Sequence, residues 1–148
     1  MRFWDSSALV PLLVEEQMTA GIQRLLVDDP EQAVWWATEL EALSVIARRE
    51  RSAELDVTVA GGAVRRLQAL AIAWSEVPAG ESVRRIARRL LRVHDLRTGD
   101  ALQLAAAIVA AENEPETLEL VTLDDRLARA ANREGFRVLP ASQPSPSA

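Results

Sequence analysis

The sequence predicts an α/β protein: a mainly parallel sheet covered by helices on both faces, with a small helical subdomain beside it. Three observations carry this. Short β-prone runs alternate with longer helical segments, the pattern of βαβ units and of parallel sheets with covered faces. The first run, Phe3-Trp4, stops at Asp5 and passes directly into an apolar segment. The connections between the second, third and fourth runs are long enough for more than one helix each, which is the origin of the subdomain.

Taken in order, Phe3 and Trp4 form the first strand, and Ser6-Ser7 turn into a helix reaching Leu13. Glu15 to Asp28 reads as an amphipathic helix with Ile22, Leu25 and Leu26 on its apolar side, ended by Asp28-Asp29-Pro30. Ala33 to Ala37 is the second strand. Thr38 opens a helix running to Ser52, with Leu40, Leu43, Ile46 and Ala47 on one face. Asp56 to Ala73 is a further helix that Gly61-Gly62 should weaken. Trp74 to Val77 is the third strand, stopped by Pro78. Glu81 to Val93 is a helix with Val83, Ile86, Ala87, Leu90 and Leu91 as its apolar side. Thr98 caps a helix reaching Asn113; from Ala101 to Ala111 it is apolar except for Gln103, the mark of a helix buried on most sides. Leu118 to Leu123, Asp125 to Glu134 and Phe136 to Leu139 are the last strand, helix and strand. Residues 1–140 form a single domain without internal repeats, and 141–148 is a Pro/Ser-rich tail expected to be disordered.

Composition narrows the chemistry. At 148 residues one domain buries roughly two-thirds of its unfolded surface. With no cysteine there is no disulfide, thiolate site or thiol nucleophile. The single histidine, His94, makes a His-rich metal site or a Ser-His-Asp triad a poor fit and is expected on the surface or in a loop. No signal peptide is visible and no apolar run approaches the ~18 residues of a membrane span, so a cytoplasmic protein without a membrane partner is expected. The net charge of -5 argues against broad attraction to nucleic acid. Arg84, Arg85, Arg88, Arg89 and Arg92, however, recur three and four apart on one helix face, with Arg97 just after.

The carboxylates are the informative feature. Asp5 ends the first strand; Glu39 and Glu41 lie in the first turn of the helix after the second; Asp100 opens the buried helix; Asp124 and Asp125 follow the strand beginning near Leu118. Strand C-termini and helix N-termini share one edge of a parallel sheet, the edge where ligands bind. Carboxylates gathered there either hold protons with raised pKa values or bind a cation. All-oxygen ligation selects Mg²⁺ or Mn²⁺, ions that activate water and stabilise charge in phosphodiester cleavage. Structural roles compete at each position. Asp5 can be a helix cap. Thr38-x-x-Glu41 matches a capping box. Glu39 and Asp100 suit a helix dipole. One of Asp124 and Asp125 caps the next helix while the other faces the site. The four tryptophans are most simply core or interface residues, and the arginine face can be plain solvated surface.

Asp5-Ser6-Ser7-Ala8-Leu9, Thr38-Glu39-Leu40-Glu41 with Arg48, Leu96-Arg97-Thr98-Gly99-Asp100-Ala101-Leu102-Gln103-Leu104-Ala105, and Val121-Thr122-Leu123-Asp124 with Leu127 and Ala131 resemble the four blocks of the PIN-domain family. Among its branches they are most similar to the VapC-type ribonuclease toxins of bacterial toxin–antitoxin pairs. The resemblance implies a Rossmann-like α/β/α sandwich, Mg²⁺ or Mn²⁺ at an acidic centre, endoribonuclease activity, a homodimer and a cognate antitoxin. It carries the metal-binding and catalytic quartet onto Asp5, Glu41, Asp100 and Asp124, with Thr122 and Ser6 in support. It also places the metal carboxylate seven residues before an arginine, which selects Glu41 over Glu39. Gln103 stands where the family commonly has His and is not expected to affect metal binding. The mechanism so implied is hydrolysis of RNA by a metal-activated water, with Asp5, Asp100 and Glu41 holding one ion and Asp124 a second ion or a water. Arg84, Arg88, Arg92 and Arg97 are candidates to contact RNA or antitoxin. The rival readings are a non-catalytic interaction domain of the same fold and a Mg²⁺-dependent phosphatase. An intact quartet speaks against the first. The phosphatase usually wants a second Asp close after the first, where Ser7 stands.

Overall fold

The computed structural model describes residues 1–141. The expected tail, 141–148, lies outside the described residues apart from Ala141. The elements are β1 (Arg2–Trp4), α1 (Ser6–Leu13), α2 (Thr19–Asp28), β2 (Gln32–Trp35), α3 (Thr38–Arg51), α4 (Val57–Ala73), β3 (Ser75–Val77), α5 (Glu81–Val93), α6 (Thr98–Ala110), β4 (Leu120–Val121), α7 (Asp125–Glu134) and β5 (Val138–Leu139). The strands form one sheet in the order β3-β2-β1-β4-β5, and every pairing is parallel. The α/β/α expectation holds.

Period-two alternation splits the strands between two apolar layers. Phe3, Ala33, Trp35 and Leu120 point to one face and pack with Val83 and Leu90 of α5, Leu104 of α6 and Leu127 of α7. Trp4, Val34, Val121 and Leu139 point to the other and pack with Leu9 of α1, Ile22 of α2, Ile46 of α3 and Leu67 of α4. The extra helices of the β2–β3 connection are the α3–α4 pair, which packs on α1 and whose buried residues continue the second layer. Helix α4 runs unbroken through Gly61-Gly62.

Several boundaries differ from the sequence reading; β2 ends at Trp35 and α6 at Ala110, short of the expected Ala37 and Asn113. The segment from Glu15 is not helical until Thr19. Thr19 is buried; its hydroxyl donates to the Pro11 carbonyl at 2.7 Å and accepts from the Glu16 N–H at 2.8 Å, which fixes a turn where a helix was expected. Arg66 donates twice to the Leu13 carbonyl, at 3.0 and 2.8 Å, and satisfies the end of α1. The last two strands shrink to two residues each. Helix α7 closes on Gly135 at φ 106, a left-handed conformation that glycine accepts without Cβ strain. No described helix is long and apolar enough to cross a membrane.

Candidate active site

Strand β1 delivers Asp5 to the C-terminal edge of the sheet, where its backbone N–H continues the ladder to the Val121 carbonyl at 3.0 Å. Asp5 is only 4% exposed. Its Oδ2 accepts the Ser7 hydroxyl at 2.5 Å, the Thr122 hydroxyl at 2.8 Å and the Ser7 N–H at 3.3 Å. The two hydroxyls in turn accept the N–H groups of Leu123 (2.9 Å, on Ser7) and Asp124 (3.1 Å, on Thr122). Asp5 thus caps α1, the structural role the sequence offered it, and also anchors the chain leaving β4. Burial pushes its carboxyl pKa up, aided by the Asp124 charge and opposed by the Ser7 and Thr122 hydrogen bonds.

Glu41 comes from the first turn of α3. Its Oε2 accepts the Ser6 hydroxyl at 3.2 Å and its Oε1 the Gln103 amide at 3.1 Å. Burial raises its pKa, and the charges of Asp5 and Asp100 add to the effect. Asp100, in the first turn of α6, is raised by burial and by Asp124, against the Arg97 amide and the charges of Arg126 and Arg97. Asp124 caps α7 through Oδ1, which accepts the Leu127 N–H at 2.9 Å. It also borders an open cleft of about 580 Å³ shared with Asp100, Asp125, Arg97, Arg126 and Arg129. The four carboxylates named in the sequence therefore act on one another electrostatically from four separate element ends.

The PIN domain profile matches residues 2–133. The chain belongs to the PIN domain family. PIN domains are in general nucleases that use divalent metal. The PIN fold of this chain is similar to a toxin–antitoxin complex from Klebsiella pneumoniae, at 17% identity and TM-score 0.62 over 86% of this chain and 91% of that one. It is similar to a crystal structure from Pyrobaculum aerophilum, at 22% identity and TM-score 0.62 over 93% and 81%. FitAcB from Neisseria gonorrhoeae matches at 17% identity and TM-score 0.62 over 93% and 96%. At such identities the likeness is one of fold. No curated protein matches the sequence.

Several residues of this PIN domain take parts the sequence did not assign. Thr38 does not cap α3: the N-cap is Ala37 in a helical conformation, with no side-chain bond. Fully buried, Thr38 instead accepts from Gln103 at 3.0 Å, so the capping box is not formed and Glu41 is released from it. Likewise Arg97, not Thr98, precedes α6 as its N-cap. Ser7 holds Asp5, whereas Ser6 holds Glu41. Gln103, 1% exposed, spends its amide protons on Thr38 and Glu41 and so touches a candidate ligand. The available signal was a lone polar residue in an otherwise apolar helix, which has to find a partner once buried. His94 lies in the loop after α5, one of the two places expected for it, with its side chain buried and Nε2 2.8 Å from Glu134. Of the expected arginine contacts, Arg97 reaches the cleft while Arg84, Arg88 and Arg92 do not line it. Arg84 and Arg88 pair instead with Glu81, at 3.3 and 3.1 Å.

The donor set suits a hard cation. Every candidate ligand is a carboxylate, and repulsion among them is what a positive charge relieves. Among the described residues no three side chains close into a ready-made cage. Mg²⁺ does not require one, since it binds through one or two carboxylates and retains several waters.

Proposed function

We propose that this chain is a Mg²⁺- or Mn²⁺-dependent endoribonuclease, the toxin of a type II toxin–antitoxin pair, acting in the cytoplasm as a homodimer restrained by a cognate antitoxin. The observation that carries this reading is the meeting of Asp5, Glu41, Asp100 and Asp124 at one sheet edge, with only oxygen donors, beside an arginine-bearing cleft. Family membership and the likeness to the Klebsiella toxin–antitoxin complex support it.

Asp5, Glu41 and Asp100 would hold the cation, directly or through its retained waters, with Asp124 at the cleft side. When bound, the cation supplies water activation and stabilisation of charge developing on phosphorus. The chain's own part is orientation. Ser7 and Thr122 fix Oδ2 of Asp5, and Ser6 and Gln103 fix one oxygen each of Glu41. Arg97, at the cleft, suits an RNA phosphate. Trp36 and Leu40, 54% and 59% exposed at the start of α3, offer apolar surface for a second copy or the antitoxin.

The test is incubation of purified protein with RNA in Mg²⁺, in Mn²⁺ and in excess chelator. Cleavage confined to the metal-containing reactions, and lost in Asp5→Asn and Asp100→Asn, is the expected result. Equal cleavage in chelator, or retention by both variants, refutes the metal mechanism. No cleavage of any RNA by the metal-loaded protein refutes the ribonuclease.

A further inference from the structure

Helix α7 carries Arg126, Arg129 and Arg133 at helical spacings of three and four, which aligns them on one face. That face runs away from the carboxylates. Arg126 and Arg129 line the cleft with Asp100 and Asp124, and both also line a neighbouring cavity that Arg133 borders. Seven residues of helix cover about 10 Å. All three side chains are exposed, and among the described residues none forms a salt bridge or a side-chain hydrogen bond. On α5, by contrast, Arg84 and Arg88 are engaged by Glu81 and Arg89 by Glu134 at 2.6 Å, and Arg85 and Arg92, unpaired among the described residues, line neither the cleft nor its neighbour. In a chain of net charge -5, unpaired guanidinium groups aligned from the acidic centre outward are available to a polyanion.

Resting on the ribonuclease reading, we infer that the Arg126–Arg129–Arg133 face of α7, with Arg97 at its head, is the track for the phosphate backbone of single-stranded RNA entering the carboxylate centre. Guanidinium groups without carboxylate partners keep their donors for phosphate oxygens. The cleft is open, and it admits a flexible strand whose backbone follows a row of charges. Asp124 caps the same helix, so one side chain sets the position of the track relative to the acidic centre.

The experiment compares two variants of identical net charge, Arg126→Gln/Arg129→Gln/Arg133→Gln on α7 and Arg84→Gln/Arg88→Gln/Arg92→Gln on α5. Each, with the wild type, is titrated against a short fluorescent single-stranded RNA in chelator, from about 50 to 200 mM salt. All six positions are exposed, and circular dichroism confirms that each variant is folded. The α7 variant is expected to bind roughly tenfold or more weakly. Its plot of log affinity against log salt should flatten by about 0.7 for each phosphate it no longer neutralises, or about 2 for all three arginines. The α5 variant is expected to stay within about twofold of wild type, with an unchanged slope. Equal weakening of both variants, or greater weakening of the α5 variant, overturns the track. Unchanged RNA binding by the α7 variant, with wild-type protein cleaving RNA in Mg²⁺, overturns the track and leaves the ribonuclease standing. Wild type that neither binds nor cleaves RNA overturns both.

Discussion

Replacing Gln103 by Leu separates the support of the site from the support of the fold. The buried amide of Gln103 donates to Glu41 at 3.1 Å and to Thr38 at 3.0 Å, while its own Oε1 is buried without a partner. Leu removes a hydrogen bond to a charged group, about 1.5–3 kcal/mol, and a neutral one, about 0.5–1.5 kcal/mol. It also removes an unsatisfied buried carbonyl, whose presence costs about 1–3 kcal/mol. These opposing effects nearly cancel, and the expected net destabilisation is about 1 kcal/mol, a fall in Tm of about 2–4 °C at this chain length. Metal binding has no such compensation. Glu41 keeps only the Ser6 hydroxyl, and removing a partner that orients a ligand typically costs about 10–100-fold in metal affinity. Calorimetric Mn²⁺ titration and thermal unfolding in chelator measure the two effects separately. Because the Gln103 hydrogen bond lowers the Glu41 pKa, its removal also moves the acid limb of the cleavage profile to higher pH. Gln103→His, which keeps an N–H donor, should recover most of the affinity. Mn²⁺ affinity within about twofold of wild type, alongside a large fall in Tm, would show that Gln103 serves the core and not the site.

Other expectations follow from the same geometry. The raised pKa of Asp100 means that its protonated form favours folding; that contribution is full below the ordinary carboxylate range and fades as pH rises through the folded value. Asp100→Asn should therefore raise the metal-free Tm at neutral pH and flatten its decline between mildly acidic and neutral pH, and a clear drop in Tm would make Asp100 structural. Glu41→Gln should abolish cleavage and metal binding without lowering the metal-free Tm, since no capping box depends on it and burial and the neighbouring charges disfavour its charged form, whereas Glu39→Gln should remain active; the reverse pattern would overturn the assignment of Glu41. Ser7→Ala removes a donor to Asp5 and the acceptor of the Leu123 N–H, and should lower stability by about 1.5–3 kcal/mol in denaturant titrations. Ser6→Ala should weaken metal binding with a smaller effect on stability, because the Ser6 hydroxyl bonds to Glu41 alone.

What the sequence revealed was the part governed by periodicity and topology. The arginine-bearing helix was expected from Glu81 to Val93 and is found there, since its apolar and polar faces are cleanly separated. The order of strands and helices along the chain is enough to put Asp5, Glu41, Asp100 and Asp124 on one edge of a parallel sheet. Local capping chemistry was less legible. A Thr-x-x-Glu spacing is compatible with a capping box, yet burying Thr38 against α6 turned its hydroxyl toward Gln103, a partner 65 residues away. Ser6 and Ser7 are alike in sequence; the cap of α1 turns Ser7 back to Asp5, while the approach of α3 gives Ser6 its partner Glu41. The arginines posed the same difficulty. Spacing identifies a face on α5 and on α7 alike, and the pairing of Arg84 and Arg88 with Glu81 lies within α5 itself, but which face opens beside the carboxylates is set by tertiary packing.

The central position of β1 has a consequence for how this molecule is made. Its neighbours are β2 on one side and β4 on the other, and the Asp5–Thr122 contact closes a sequence separation of 117 residues. Synthesis proceeds from the N-terminus, so Asp5 emerges first and waits for Thr122 and Asp124 until nearly the whole domain has been translated. No shorter nascent chain holds the complete set of carboxylates. Such a long-range closure is slow relative to helix formation. The sheet edge that gathers Asp5, Glu41, Asp100 and Asp124 is thus completed from both ends of the domain, and a chain stopped short of β4 lacks the partner that holds Asp5 in place.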